Sequence, residues 1–360
     1  MKDMTRNMLL IIVLVLVVGA IIYLQSQKPK IGETMSNETT KNGKYPKAPE
    51  LQGISAWVNS EPLTMEKLKG KVVIVDFWTY SCINCLRTLP YLNAWNEKYA
   101  SKGLVIIGVH TPEFNFEKDL ENVQFAVQKY GIKYPIALDN GYATWTAYRN
   151  QYWPRKYIID KDGYIRYDHI GEGGYEESEK QIQELLAETG ADTMDGTVNI
   201  ADQTPTTYNT PEIYAGYEFA LPRGEDIGNG GSYRKDESYN YQAPAELKKD
   251  RIYLDGSWLA GPENVSKTEN NESSIYLLFS AKSANIVAEA TNISRLYVSI
   301  NGKYVDKTNA GTDVEFDGVT SYVLVHEPRL YNVYNGPYGS YTLKLSTYDP
   351  GFSFNAFTFG

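Results

Sequence analysis

The chain has 360 residues, 42% of them hydrophobic, which is enough for two domains with their own cores and additional segments. A formal net charge of −9 excludes the basic stripe by which proteins hold nucleic acid, so no nucleic-acid partner is expected. Only two cysteines occur, Cys82 and Cys85, so a framework of structural disulfides is excluded and any disulfide within the chain joins these two.

Residues 1–7 form a flank carrying Lys2 and Arg6, and Met8 to Leu24 is an uninterrupted apolar run. As a helix the run would span roughly 26 Å, about the thickness of a bilayer core. Val18-Gly19-Ala20 resembles a cleavage site, but the run continues through Ile21, Ile22, Tyr23 and Leu24, which favours an uncleaved single-pass transmembrane anchor at 8–24. No cysteine precedes Cys82 to carry a lipid, and Lys28 and Lys30 nearly balance Lys2 and Arg6, so charge does not orient the anchor. The body of the chain is expected outside the cytoplasm, at the cell membrane. Residues 25–47 are polar, without hydrophobic period, and read as a flexible tether.

From Ala48 strand and helix patterns alternate. Lys71 to Trp78 and Leu104 to Val109 are compact apolar runs of buried strands. Leu86 to Tyr99, Glu117 to Tyr130 and Glu176 to Glu188 have helical character. Lys156 to Asp160 and Tyr164 to Tyr167 flank Lys161-Asp162-Gly163 as a hairpin. The alternation implies an α/β domain over residues 48–190, its sheet covered on both faces. Residues 191–249 read as a loop-rich connection. From 250 to 360 the runs are short, alternating and rich in tyrosine, with Asn301-Gly302 as a hairpin turn. That part reads as an all-β sandwich.

The chemistry lies where the strand ending at Trp78 passes through Thr79-Tyr80-Ser81 into a helix carrying Cys82-Ile83-Asn84-Cys85. Unpaired backbone N–H groups at a helix N-terminus favour an anion, and a thiolate is the form that attacks. Cys82, the outer residue, is therefore the expected nucleophile, and Cys85, one turn later, the resolving thiol. Structural zinc usually needs four ligands, whereas the remaining candidates, His110, His169 and His326, are scattered; no metal and no cofactor are expected. Asp76, six residues before Cys82 in a buried strand, suits a proton acceptor for Cys85, or else a hydrogen-bonded structural carboxylate. Glu113, beyond the second strand at the same sheet edge, is a second proton-shuttle candidate, or else a loop acid. Trp78 is placed to shield the motif or to fill the core, and Pro90, inside the active-site helix, is expected to kink it. Trp153-Pro154 precedes a strand, where a cis bond would expose backbone to a substrate.

The string FWTYSCINCLRTLPYLNAW (77–95), with GVHTPEF (108–114), YPIALDN (134–140) and YRNQYWP (148–154), resembles the exported thioredoxin-like portion of DipZ-type cytochrome c biogenesis proteins, within the redoxin and TlpA/ResA group. The resemblance implies a thioredoxin-like fold, a cis Pro154 facing the cysteines, and an active-site role for Glu113. It also implies a carbohydrate-binding-like β domain at the C-terminus, and thiol–disulfide exchange with protein disulfides or dithiols as the activity. Two departures bear on the transfer. DipZ proteins carry a polytopic electron-delivering domain where this chain has one apolar run, so a separate membrane electron donor is implied. The dipeptide Ile83-Asn84 matches neither reductant nor strong-oxidant patterns, which leaves redox direction open.

Two other functions compete. Thr79-x-x-Cys82 echoes a peroxidase motif, although Val75 stands where that motif has proline. Alternatively the β domain sets the function, with Trp258 and the tyrosines stacking on cell-surface glycan or else building the core.

Overall fold

The computed structural model describes residues 40–41, 43–193 and 196–360. The expected anchor at 8–24 lies outside the described residues, and among those described no helix is long and apolar enough to cross a membrane. Thr40–Lys41 pairs with Tyr45–Pro46 in a small antiparallel ladder, and residues 48–360 form one compact body.

The redox part of that body is a six-stranded sheet of β1 (Ala56–Val58), β2 (Val72–Trp78), β3 (Leu104–His110), β4 (Ile136–Leu138), β5 (Arg155–Ile159) and β6 (Ile165–Ile170), in the order β1-β4-β3-β2-β5-β6. Every residue of β2 is buried. The reason is its position: β2 lies between parallel β3 and antiparallel β5, with helices on the faces, so its run need not alternate. Helix α1 (Ile83–Tyr99) turns Cys85, Thr88, Leu89, Leu92, Trp95 and Tyr99 inward, a stripe at helical spacing, and keeps Pro90 on its exposed side. Helices α2 (Leu120–Lys129), α3 (Ala143–Ala147) and α4 (Tyr175–Ala187) complete the unit. Buried Glu179 of α4 accepts from Trp95 Nε1 at 3.0 Å and Tyr99 OH at 2.6 Å, which fixes α4 against α1. This is a thioredoxin-like fold.

The second helix begins later than its sequence pattern suggests. Glu117 lies in a single 3-10 turn, Asn115–Lys118, and α2 starts only after Asp119, whose carboxylate caps it by accepting from Glu121 N at 2.9 Å.

The C-terminal part is β-rich. Its strands are β7 (Ile213–Tyr214), β8 (Ser238–Tyr241), β9 (Ile252–Ala260), β10 (Val265–Lys267), β11 (Ser273–Ala290), β12 (Ser294–Ile300), β13 (Lys303–Tyr304), β14 (Glu315–Asp317), β15 (Thr320–Val325), β16 (Arg329–Thr347) and β17 (Phe352–Phe359). They join in the order β8-β9-β10-β17-β11-β16-β12-β15-β14, with β13 beside β12 and β7 beside β17. The long strands β11 and β16 slip register between Ala281 and Ser283 and again between Ala284 and Asn285. Such bulges bend and twist a ladder. Asn301 (φ 51°) and Gly302 (φ 76°) make the expected two-residue turn, closing the Ile300–Lys303 pair. Trp258 is fully buried and donates its indole N–H to Asp255 O at 3.0 Å, so it builds the core and offers no platform for a sugar.

The two parts share a core. Phe114, from the loop after β3, is buried among residues of the β-rich part and packs on Tyr214 and Phe219. Asn115 bonds both carboxylate oxygens of Glu263, and Tyr91 OH donates to Ile200 O at 2.9 Å. The β-rich part therefore packs directly behind the active-site loops.

Candidate active site

Cys82 is the N-cap of α1, with extended backbone (φ −83°, ψ 114°) and no side-chain cap; its carbonyl accepts the first helical bond, from Leu86 N at 3.0 Å. Both cysteines are free thiols, Cys82 half-buried and Cys85 buried. Burial first, then the adjacent Cys82 and the Asp76 carboxyl, hold Cys85 well above the usual thiol range. Cys85 thus keeps its proton while Cys82 faces outward. Cys82 opens onto a cleft of about 250 Å³, shared with residues such as Asn84, Arg87, Glu212 and Thr358.

Asp76 lies in the middle of β2, 1% exposed, with Oδ1 unpartnered among the described residues. Burial pushes its carboxyl up to about 7, opposed by the charge of Lys156. Lys156 stands directly across the ladder on β5, fully buried, its ammonium donating to Gly171 O at 3.2 Å. Burial depresses Lys156, while Asp76 and Cys85 act to raise it. Asp76, Lys156 and Cys85 thus form one buried electrostatic group behind the half-buried Cys82 thiol. Lys156 was not apparent from the sequence, because a lysine in an apolar run gains meaning only once the Asp76–Lys156 register is known.

Glu113 projects from the loop after β3, as expected, but meets a partner from the C-terminal part. Tyr214 OH lies 2.6 Å from Glu113 Oε1 and 2.9 Å from Glu212 Oε2. A tyrosine hydroxyl has one proton to donate, so it serves both carboxyls only if one of them is protonated and donates back to it. Burial first, then the neighbouring Glu212 carboxylate, hold Glu113 well above the usual carboxylate range. Glu212 as a residue is exposed, yet its carboxyl end is buried beside Tyr214, and burial pushes it up to about 7. Arg223 stacks over the Tyr214 ring at 4.3 Å and acts to lower both glutamates.

Glu117 organises the motif loop. Fully buried, it accepts from Ser81 Oγ at 2.5 Å, from Glu113 N at 2.5 Å and from Phe114 N at 3.0 Å. It thereby ties the residue before Cys82 to the turn that carries Glu113. Thr79, the threonine of the peroxidase-like echo, is fully buried and faces His110 Nε2 at 3.3 Å. Trp78 is buried in the core that also holds Cys85, with its ring edge against His110 at 5.3 Å. The Trp153–Pro154 bond is cis, and Pro154 O accepts from Gly171 N at 2.8 Å. Arg87 makes a two-pronged ion pair with Glu172 (2.6 and 2.8 Å) and donates to Asn84 Oδ1 at 2.7 Å, which steadies the dipeptide between the cysteines.

Comparison with known proteins agrees with this geometry. Residues 43–186 match the redoxin family and residues 210–360 the thioredoxin-like C-terminal domain family. Protein DipZ of Mycobacterium tuberculosis is 40% identical over 250 residues, covering 68% of this chain and 35% of its own. The chain thus matches only about a third of the length of that relative. The thiol–disulfide oxidoreductase YkuV of Bacillus subtilis is 34% identical over 142 residues, 39% of this chain and 95% of that one. ResA of Bacillus thuringiensis is 30% identical over 191 residues, 51% of this chain and 99% of its own. Among solved structures, a thioredoxin-like protein in its oxidised form is 34% identical, covering 39% of this chain and 95% of its own, with a TM-score of 0.37. A CxxC at a strand–helix junction, a buried carboxylate behind it and the matches over the whole length of YkuV and ResA place the chain in the redoxin-type, thioredoxin-like thiol–disulfide oxidoreductases.

Proposed function

We propose that the chain is a membrane-tethered, extracytoplasmic oxidoreductase that exchanges dithiol for disulfide with protein substrates through Cys82 and Cys85. The observation that carries this reading is the asymmetry of the pair: one thiol opens onto a cleft, and the other is buried behind it. In the reducing direction the Cys82 thiolate attacks one sulfur of a substrate disulfide. A mixed disulfide forms, the substrate S–S bond breaks, and the departing sulfur takes a proton. Cys85 then loses its proton to Asp76 and attacks the Cys82 sulfur, releasing the second substrate thiol. Two electrons pass to the substrate and a Cys82–Cys85 disulfide remains, to be reduced again by a separate membrane electron donor. The opposite direction runs the same steps in reverse.

Asp76 suits the acceptor role because its ionisation lies near neutrality, where a base is both available and able to hold a proton. Lys156 stabilises the carboxylate once it forms. Glu113, sharing a proton with Glu212 through Tyr214, serves the thiol leaving from the cleft side. Pro154 is assigned to substrate docking on the family resemblance, and Trp78 to shielding from its place at the end of β2 beside the motif. The buried Thr79 favours exchange over peroxide reduction, since its hydroxyl faces His110. The bulged β11 and β16 support a sandwich-like module; in the carbohydrate-binding-like role that the family resemblance implies, its exposed tyrosines, such as Tyr304 and Tyr348, are the candidates for glycan contact.

Alkylation of the reduced native protein tests the carrying observation. Cys82 should react rapidly with iodoacetamide while Cys85 reacts only on unfolding, as read by mass spectrometry of peptides. Equal labelling of both thiols, or consumption of hydrogen peroxide faster than of a protein disulfide, contradicts the reading.

A further inference from the structure

His110 stands beside the redox motif, and the exchange steps leave it unused. It ends β3 in register with Trp78 of β2 and is fully buried. Its ring meets three successive residues of the chain that leads to Cys82. The Trp78 and His110 rings meet edge to face, their centroids 5.3 Å apart. Nε2 lies 3.3 Å from Thr79 Oγ1. The Tyr80 ring stacks on the imidazole at 5.4 Å, the two planes 17° apart. Trp78, Thr79 and Tyr80 are thus seated on one buried side chain.

Those residues set where the nucleophile stands. Thr79 O accepts from Cys82 N at 3.4 Å, which closes a four-residue turn and delivers Cys82 as the N-cap of α1. Ser81, in the same turn, is held by Glu117, and the Thr79 hydroxyl also favours the Glu117 carboxylate. His110 therefore holds the start of the turn, and Glu117 the residue before Cys82. The placement matters because the unpaired N–H groups of the first helical turn favour a thiolate only where it lies over them.

Packing alone does not call for a histidine here. Burial pushes its ring down to about 3, so it is uncharged near neutrality and adds no positive charge beside the motif. Nδ1 is buried without a hydrogen-bond partner among the described residues, a cost that a leucine would not carry. What a leucine could not do is meet the fully buried Thr79 hydroxyl.

We propose that His110 is a positioning residue for the attacking thiol: through Thr79 it fixes the turn that sets Cys82 over the N-terminus of α1. It touches no substrate and passes no proton. The inference rests on the reading of Cys82 as the nucleophile.

The test is the rate at which iodoacetamide alkylates Cys82 in the reduced full chain, read by peptide mass spectrometry at pH 7 and pH 10. In His110→Leu the rate at pH 7 should fall about fivefold, because fewer Cys82 thiols are ionised once the turn loosens. At pH 10, where a thiol is ionised in almost any setting, it should match wild type. A fivefold change corresponds to about 1 kcal/mol, the size of a charge's interaction with a helix terminus. His110→Gln, whose amide reaches Thr79 as Nε2 does, should restore the pH 7 rate to within about twofold. Thr79→Val keeps the shape of the turn and removes the same contact. It should slow labelling at pH 7 about threefold, and it serves if His110→Leu does not fold. With Cys82 labelled ahead of Cys85 in the wild type, three results overturn the proposal alone: an unchanged pH 7 rate in a folded variant, an equal fall at both pH values, or no rescue by glutamine. Equal labelling of the two cysteines in the wild type overturns it together with the exchange reading.

Discussion

At the scale of single residues, Asp76 joins stability to chemistry. Its carboxyl ionises near 3.8 when unfolded and is raised to about 7 by burial in the fold. Between those values the unfolded chain has lost the proton that the folded one keeps, so stability falls as pH rises through that window and levels off above it. Asp76→Asn removes this dependence. Its stability relative to wild type should rise from pH 4 to pH 7, by up to about 4 kcal/mol, and stay constant above. Urea unfolding of both proteins at several pH values checks this, and parallel curves would show Asp76 ionising freely. The same variant should slow release of mixed disulfide most from about pH 7 upward, where wild-type Asp76 is ionised and can take the Cys85 proton, and least below it. Glu212→Gln removes a like charge from beside Glu113, so Glu113 should ionise at lower pH. As the proton donor to the leaving thiol, Glu113 sets the basic limb of the rate profile, which should move down accordingly; an unmoved limb would detach Glu113 from the reaction.

At the scale of elements, the strand–helix junction was legible because the β2 run, the two cysteines and the α1 stripe lie next to one another in sequence. Cys82, Cys85 and Asp76 could be assigned places from that pattern alone. Lys156 could not, since its meaning comes from lying across the ladder from Asp76. Tyr214 and Glu212 could not either: Tyr214 reaches Glu113 across 101 residues of sequence, from a stretch whose composition reads as loop. Glu117 looked like the first residue of a helix, and its use as a loop anchor follows from three donors that converge on it only in space. Glu117→Ala leaves the Glu113 and Phe114 N–H groups without an acceptor. It should cost about 2–4 kcal/mol in urea unfolding, with a slower first attack by Cys82 because Ser81 is released. A loss under 1 kcal/mol would mean that the loop holds itself.

At the scale of the whole molecule, the change of composition near Thr189 suggests separable halves, whereas the packing joins them. Phe114 lies in the core of the β-rich part, Asn115 is tied to Glu263, and Tyr91 reaches Ile200. Truncation after residue 190 would expose Phe114, whose full burial contributes about 1.5–3 kcal/mol, and uncover part of half-buried Phe116. The shortened chain should therefore unfold at a clearly lower urea concentration and expose apolar surface to a reporter dye. An unchanged midpoint would show that the redox part is self-sufficient. The Cys82 cleft would also lose the wall that carries Glu212, Thr358 and Phe359.

The central claim is that Cys82 attacks and Cys85 resolves, and trapping of mixed disulfides tests it most directly. In Cys85→Ser the attacking thiol is intact, but a serine hydroxyl cannot displace it from the substrate, so partner proteins should accumulate in covalent complexes that reductant dissolves. Cys82→Ser leaves only a buried, protonated thiol and should trap almost nothing. Equal trapping by the two variants, or none by either, contradicts the account.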